Sequence, residues 1–170
     1  HSVQPLGPVL AATHGEEVAL WTEGQLASGG MAALAETGET GMAAAELTAQ
    51  SLVTEVLETT LPIPSQGRTV PRFGEDVRPG PDLTDHQTFV IEGFPGEVIS
   101  LAGALLGTND GFWGIDRAPL PAPGSQDIYL AAGYDAGTEE NNELEDYVSD
   151  DASILGPAVI PGDEPDDDVE

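Results

Sequence analysis

Cysteine and lysine are both missing from the 170 residues. Without cysteine there is no disulfide framework and no thiol nucleophile, so stability has to come from packing, with bound metal the other available source. Positive charge is nearly absent as well: Arg68, Arg72, Arg78 and Arg117 stand against 31 acidic residues, giving a formal net charge of −27. That balance argues against nucleic acid as a partner, and against direct contact with an anionic membrane unless divalent cations bridge the two. No apolar run reaches the roughly twenty residues that a membrane-spanning helix needs, and no apolar signal core is present. The first residue is His1, and the expectation is a secreted, extracellular protein whose signal peptide has been removed. Neither a Gly-x-Ser-x-Gly elbow nor a His-Glu-x-x-His zinc motif occurs. With carboxylates so abundant, no pair stands out as the acids of a glycosidase.

Against these absences stand 39% hydrophobic residues, gathered in runs such as Val98-Ile99-Ser100-Leu101-Ala102-Gly103-Ala104-Leu105-Leu106, which a disordered acidic chain would not contain. The length suits one domain with a sizeable core. Residues 1–142 are expected to form it, followed by an acidic extension, 143–170, with one more apolar strand at 154–160. Self-repulsion at this charge is relieved mainly in strong salt, where the Debye length falls from about 10 Å at 0.1 M to about 3 Å at 1 M. The composition is of halophilic type.

Along the chain, Val9 to Ala12 and Val18 to Trp21 read as short strands. Ser28 is placed to cap a short helix with Met31 and Leu34 on one face, ending at Gly38, and Thr40 to cap a second carrying Met42, Ala45 and Leu47. The Met and Leu positions read as core, packing both helices across the open end of a sandwich. Leu52 to Leu61 is rich in β-branched residues and favours a strand. Pro62 to Thr84 is a long proline-rich loop of the kind that usually has a task. Thr88 to Ile91 and Glu97 to Leu106 read as strands around the turn Gly93-Phe94-Pro95-Gly96, the second apolar on both faces and therefore central. Pro119 to Gly124 reads as a turn.

Two glycine-containing acidic loops organise the remainder: Thr108-Asn109-Asp110-Gly111-Phe112-Trp113-Gly114 and Tyr134-Asp135-Ala136-Gly137-Thr138-Glu139-Glu140-Asn141. Between them Gln126 to Ala132 reads as a strand, which would place both loops at one end of a sheet and bring Asp110, Asp135 and Glu139 together. Calcium takes six to eight oxygen ligands, and glycines let carbonyls turn toward it. On spacing alone, in a chain this acidic, a solvated acidic face is the better reading. Phe112 and Trp113 read as packing under the first loop.

Four segments carry a family likeness. They are Pro8-Val9-Leu10-Ala11-Ala12-Thr13-His14, the Ala-Ser-x-Gly helix entry within Leu26 to Gly38, the stretch Leu105 to Gly114, and Tyr134-Asp135-Ala136-Gly137-Thr138-Glu139. In order and approximate spacing, from Leu6 to Asn142, they resemble the spondin domain of secreted prokaryotic and animal matrix proteins. The resemblance implies a mainly β fold, a C2-like antiparallel β-sandwich with one or two short helices. It also implies a Ca2+ ion between the two acidic loops, which carries over to Asp110, Asp135 and Glu139. Two departures stand out. Glu139 replaces the family's aspartate, one methylene longer, and only about seven residues precede the Pro-Val segment.

The resemblance points to a non-enzymatic, calcium-binding structural or cell-adhesion module, a subunit of an extracellular filament or sheath assembled by strand addition from residues 154–160 or the N-terminal arm. Its partners are then further copies, or a matrix or surface component. Two alternatives stay open: a monomeric, calcium-dependent glycan- or surface-binding domain, and, more remotely, a copper enzyme using His1 with His14 or His86.

Overall fold

A computed structural model describes residues 6–59, 88–105 and 108–139. Five strands, β1 (Leu10–His14), β2 (Val53–Glu58), β3 (Val98–Ala104), β4 (Gly111–Pro119) and β5 (Ala132–Asp135), form one antiparallel sheet in the order β2-β1-β3-β4-β5. Two helices, α1 (Gly29–Thr37) and α2 (Gly41–Thr48), complete the described elements. The mainly β class with two short helices therefore holds, and β3 is the central strand, as its apolar sequence requires.

The helices lie on one face of the sheet and not across its end. Leu10, Ala12, Ala102 and Phe112 meet Met31, Leu34, Ala35, Ala43, Ala44 and Leu47 in a single buried cluster. The local sequence accounts for how α1 and α2 pack. Ser28 caps α1 by accepting a hydrogen bond from the Met31 amide, and Gly38 closes it in the left-handed region at φ 75°. The Glu46 carboxylate on α2 reaches the same helix start, accepting from the Gly30 amide at 2.9 Å and the Ser28 hydroxyl at 2.6 Å. Gly30 allows the close approach: a Cβ there would lie 2.6 Å from the Ala43 backbone. The Ala-Ser-x-Gly motif is thus a cap joined to a helix contact.

Several sequence expectations need correction. Met42 is 54% exposed and Ala45 is exposed, because the small residues Ala43 and Ala44 are the ones turned toward Gly30 and the sheet. Thr40 precedes α2 without a side-chain capping bond; its hydroxyl instead donates to the Glu58 carboxylate on β2. Val18 to Trp21 is no strand. A turn in which the Val18 amide bonds the Gly15 carbonyl redirects the chain, and Val18 and Leu20 enter the core from irregular backbone. Nor is Thr88 to Ile91 a strand. The following residue, Glu92, is fixed by side chains, with its amide bonded to the Glu55 carboxylate and its carbonyl to the Thr13 hydroxyl.

The Gln126 to Ala132 strand begins at its last residue: β5 runs from Ala132 to Asp135, and residues 126–131 have no regular structure. The reason lies in β4. Two residues, Asp116 and Arg117, bulge opposite Ser100, between the pairs Leu101–Ile115 and Ile99–Ala118. Arg117 adopts φ 47° there, and its amide is held by the Ser100 hydroxyl at 2.9 Å. The ladder with β5 stops at Gly114–Ala132, two residues before that bulge. The Pro62 to Thr84 loop, the 154–160 strand and the acidic extension lie outside the described residues.

Candidate metal centre

Because β4 and β5 are antiparallel, with Gly111 opposite Asp135, the loop entering β4 and the loop leaving β5 share one end of the sheet. The first is a compact turn. The Thr108 hydroxyl donates to the Leu105 carbonyl at 2.7 Å and accepts from the Gly111 amide at 3.0 Å. It thereby places Asp110 on the inner side, where the residue is only 2% exposed.

The second loop closes over that carboxylate. Asp110 Oδ2 accepts from the Thr138 amide at 2.8 Å, the Thr138 hydroxyl at 3.2 Å and the Glu139 amide at 3.2 Å. The Asp110 carbonyl accepts from the Ala136 amide at 3.1 Å. Burying a carboxylate is costly unless hydrogen-bond donors compensate it, and here the partner loop supplies three to a single oxygen. Asp135 is exposed at the end of β5, where its Oδ1 accepts from the Gly137 amide at 2.8 Å and shapes the turn. Glu139 is half-buried beside Asp110. The structure therefore joins the two loops through Asp110 and brings the backbone of Glu139 to it, while Asp135 is engaged within its own turn. Among the described residues, no three His, Asp or Glu side chains converge in an arrangement that would hold an ion. The donors available are all oxygen, from carboxylates, the Thr138 and Thr108 hydroxyls and loop carbonyls, and that chemistry fits a hard cation.

Sequence reasoning passed over Thr138, whose amide and hydroxyl make the principal contact with Asp110. Its signal was its place between the two acids of the second loop. Also missed were Trp21 and Tyr134, which join Phe112 in the aromatic support beneath the loops. Trp21, Phe112 and Tyr134 form a mutual cluster with ring centroids 5.1–5.3 Å apart, Phe112 and Tyr134 stacked and Trp21 edge-on to Phe112. Trp21 lies over Gly114, where a Cβ would meet its ring at 2.4 Å. Burial, reinforced by the nearby charges of Glu23 and Asp116, pushes the Tyr134 phenol above its ordinary range. Phe112 packs beneath the loop as expected, whereas Trp113, the next residue on the strand, points to the other face and is half-buried.

His14 is fully buried with both ring nitrogens engaged, Nδ1 with the Gly15 carbonyl at 2.8 Å and Nε2 with the Ser100 hydroxyl at 2.9 Å. A carbonyl can only accept, so Nδ1 carries the hydrogen. Through Ser100 the ring braces the Arg117 bulge. In this arrangement His14 has no ring nitrogen left for copper, and His1 and His86 lie outside the described residues.

The family model Spondin_N matches residues 3–141. This chain belongs to the spondin N-terminal domain family. The match covers all the described residues, including both helices, the sheet and the two acidic loops. The spondin N-terminal domain is an extracellular, adhesion-type module, and the family is typically non-enzymatic. No curated protein matches the chain. Among the described residues, no helix is long and apolar enough to cross a membrane.

Proposed function

We propose that this spondin domain is a calcium-binding structural and adhesion module, secreted into strong salt, that self-associates by strand addition into an extracellular assembly. Asp110, Asp135 and Glu139 are the carboxylates assigned to the ion. The observation that carries this reading is the closure of one acidic loop over the buried carboxylate of the other: Thr138 and Glu139 both bond Asp110 across a separation of 28 and 29 residues. The Asp110 carboxylate of the first loop and the acids of the second repel one another unless something compensates them. Hydrogen bonds to Asp110 do part of this, and a divalent cation would complete it by neutralising charge from both loops at once. Binding in this way requires Asp135 to leave its turn and face Asp110, so the ion would order the second loop as it binds.

Calcium titration by calorimetry in multimolar sodium chloride tests this, with Asp110→Asn as the comparison. Asparagine keeps a carbonyl acceptor for the Thr138 amide but loses the charge, so the fold should survive while calcium affinity falls by more than about tenfold. Equal affinity in the two proteins, or no heat of binding at millimolar calcium in the unmodified one, would overturn the assignment.

A further inference from the structure

The end of the sheet away from the acidic loops presents a surface that calcium binding does not use. All thirteen residues from Pro121 to Gly133 are exposed, and only Asp127 among them is charged, in a chain that is 21% charged overall. Ile128 and Leu130 are 85% and 92% exposed. Tyr129 between them is tethered, its hydroxyl donating to the Pro119 carbonyl at 2.8 Å. Among the described residues, none of the backbone groups of residues 126–131 forms a hydrogen bond. This is the same stretch whose apolar, β-branched and aromatic composition reads as a strand and whose ladder the Arg117 bulge cuts short. A strand-forming sequence with unpaired amides, continuous with strand β5, is a template for pairing with another chain.

We propose that residues 126–131 pair antiparallel with the same residues of a second copy of this chain. The inference rests on the self-association reading above and names its contact surface. Charge selects the occupant. A basic partner would be drawn to carboxylates, and this surface holds one. A glycan would need several convergent polar groups, whereas the Tyr129 hydroxyl is already engaged. A second copy, carrying the same −27, has to meet the first where charge is sparse, and this segment, with Asp127 its single charged residue, meets that requirement. Antiparallel pairing of identical segments is self-complementary and closes as a two-fold dimer. Ile128 and Leu130 would alternate with Tyr129 across the new pair.

Sedimentation velocity across a concentration series in multimolar salt tests the proposal, comparing the unmodified chain with Leu130→Glu. Single cysteines introduced at 128, 129 and 130 provide a second test in this cysteine-free background, with Glu16→Cys, in an exposed turn, as control. The expected result is a reversible dimer weakened at least about tenfold by Leu130→Glu, with an unchanged melting temperature for the dilute monomer. A disulfide-linked dimer should also form from at least one of the three cysteines and not from the control. A chain that remains monomeric at every concentration overturns both this inference and the self-association reading. Self-association that ignores Leu130→Glu and gives no cross-link from 128–130 overturns only this inference.

Discussion

At one end of the sheet, Thr108 to Gly111 and Ala136 to Glu139 are bonded to each other through the buried Asp110; at the other, residues 126–131 leave their amides unbonded and turn Ile128 and Leu130 to solvent. The end that satisfies itself is built around a buried carboxylate, and the end that does not exposes Ile128 and Leu130. Buried backbone groups are nearly always paired, and unpaired ones persist at the surface where water or a partner can serve them. The contrast separates two roles on one small sheet. The loop end is built around charge compensation and suits an ion, while the 126–131 end offers backbone and apolar surface and suits a protein.

The comparison breaks most readily at Asp110. Asp110→Ala leaves the Thr138 amide, the Thr138 hydroxyl and the Glu139 amide without their acceptor, and each buried donor so stranded costs about 1–3 kcal/mol. Allowing for partial access of water, unfolding by denaturant should show a loss of at least about 2 kcal/mol. A loss no larger than that of an ordinary surface substitution would mean that Asp110 does not hold the loops together. Replacing Ile128 and Leu130 together by serine should change the stability of the monomer by less than about 0.5 kcal/mol, since neither side chain is buried. A substantially larger loss would show that the segment packs within its own chain.

The smallest effect concerns Tyr134, whose aromatic cluster supports the loop end. Its phenol titrates above the ordinary value because burial disfavours the anion and Glu23 and Asp116 add to that penalty. The folded pKa is raised, so the contribution to stability is full below the unfolded value near 10 and is lost as pH rises through the folded one. Ultraviolet titration against Tyr134→Phe should reveal one late phenol, and Glu23→Gln should bring it earlier. A Tyr134 phenol that ionises no later than free tyrosine would contradict this.

Much of the fold was legible in sequence because local rules and packing agreed. The Ser28 cap, the Gly38 stop and the mostly apolar run of β3 all sit where pattern places them. The failures share a cause. Val18 to Trp21 and Gln126 to Ala131 have strand-like composition, but whether such a stretch pairs depends on its neighbour. A tight turn at Gly15 denies the first a ladder, and the Arg117 bulge denies the second. Met42 failed for another reason: the Gly30 contact requires alanine on the inner face of α2, which turns the larger side chain outward. At the candidate site, the acidic loops were visible from glycine and aspartate spacing. The role of Thr138 was not, because its contact with Asp110 crosses 28 residues and runs largely through the backbone amide, which every residue type shares.

Amide hydrogen exchange with and without calcium tests the central claim most directly, because it follows both ends of the sheet in one experiment. Calcium at millimolar concentration should slow exchange at the Thr138 and Glu139 amides and across 108–111, by a factor that grows with ion concentration, while residues 126–131 in the dilute monomer exchange as before. Unchanged protection in both loops at saturating calcium, or slowing confined to 126–131, would contradict the assignment of the ion to the loop end.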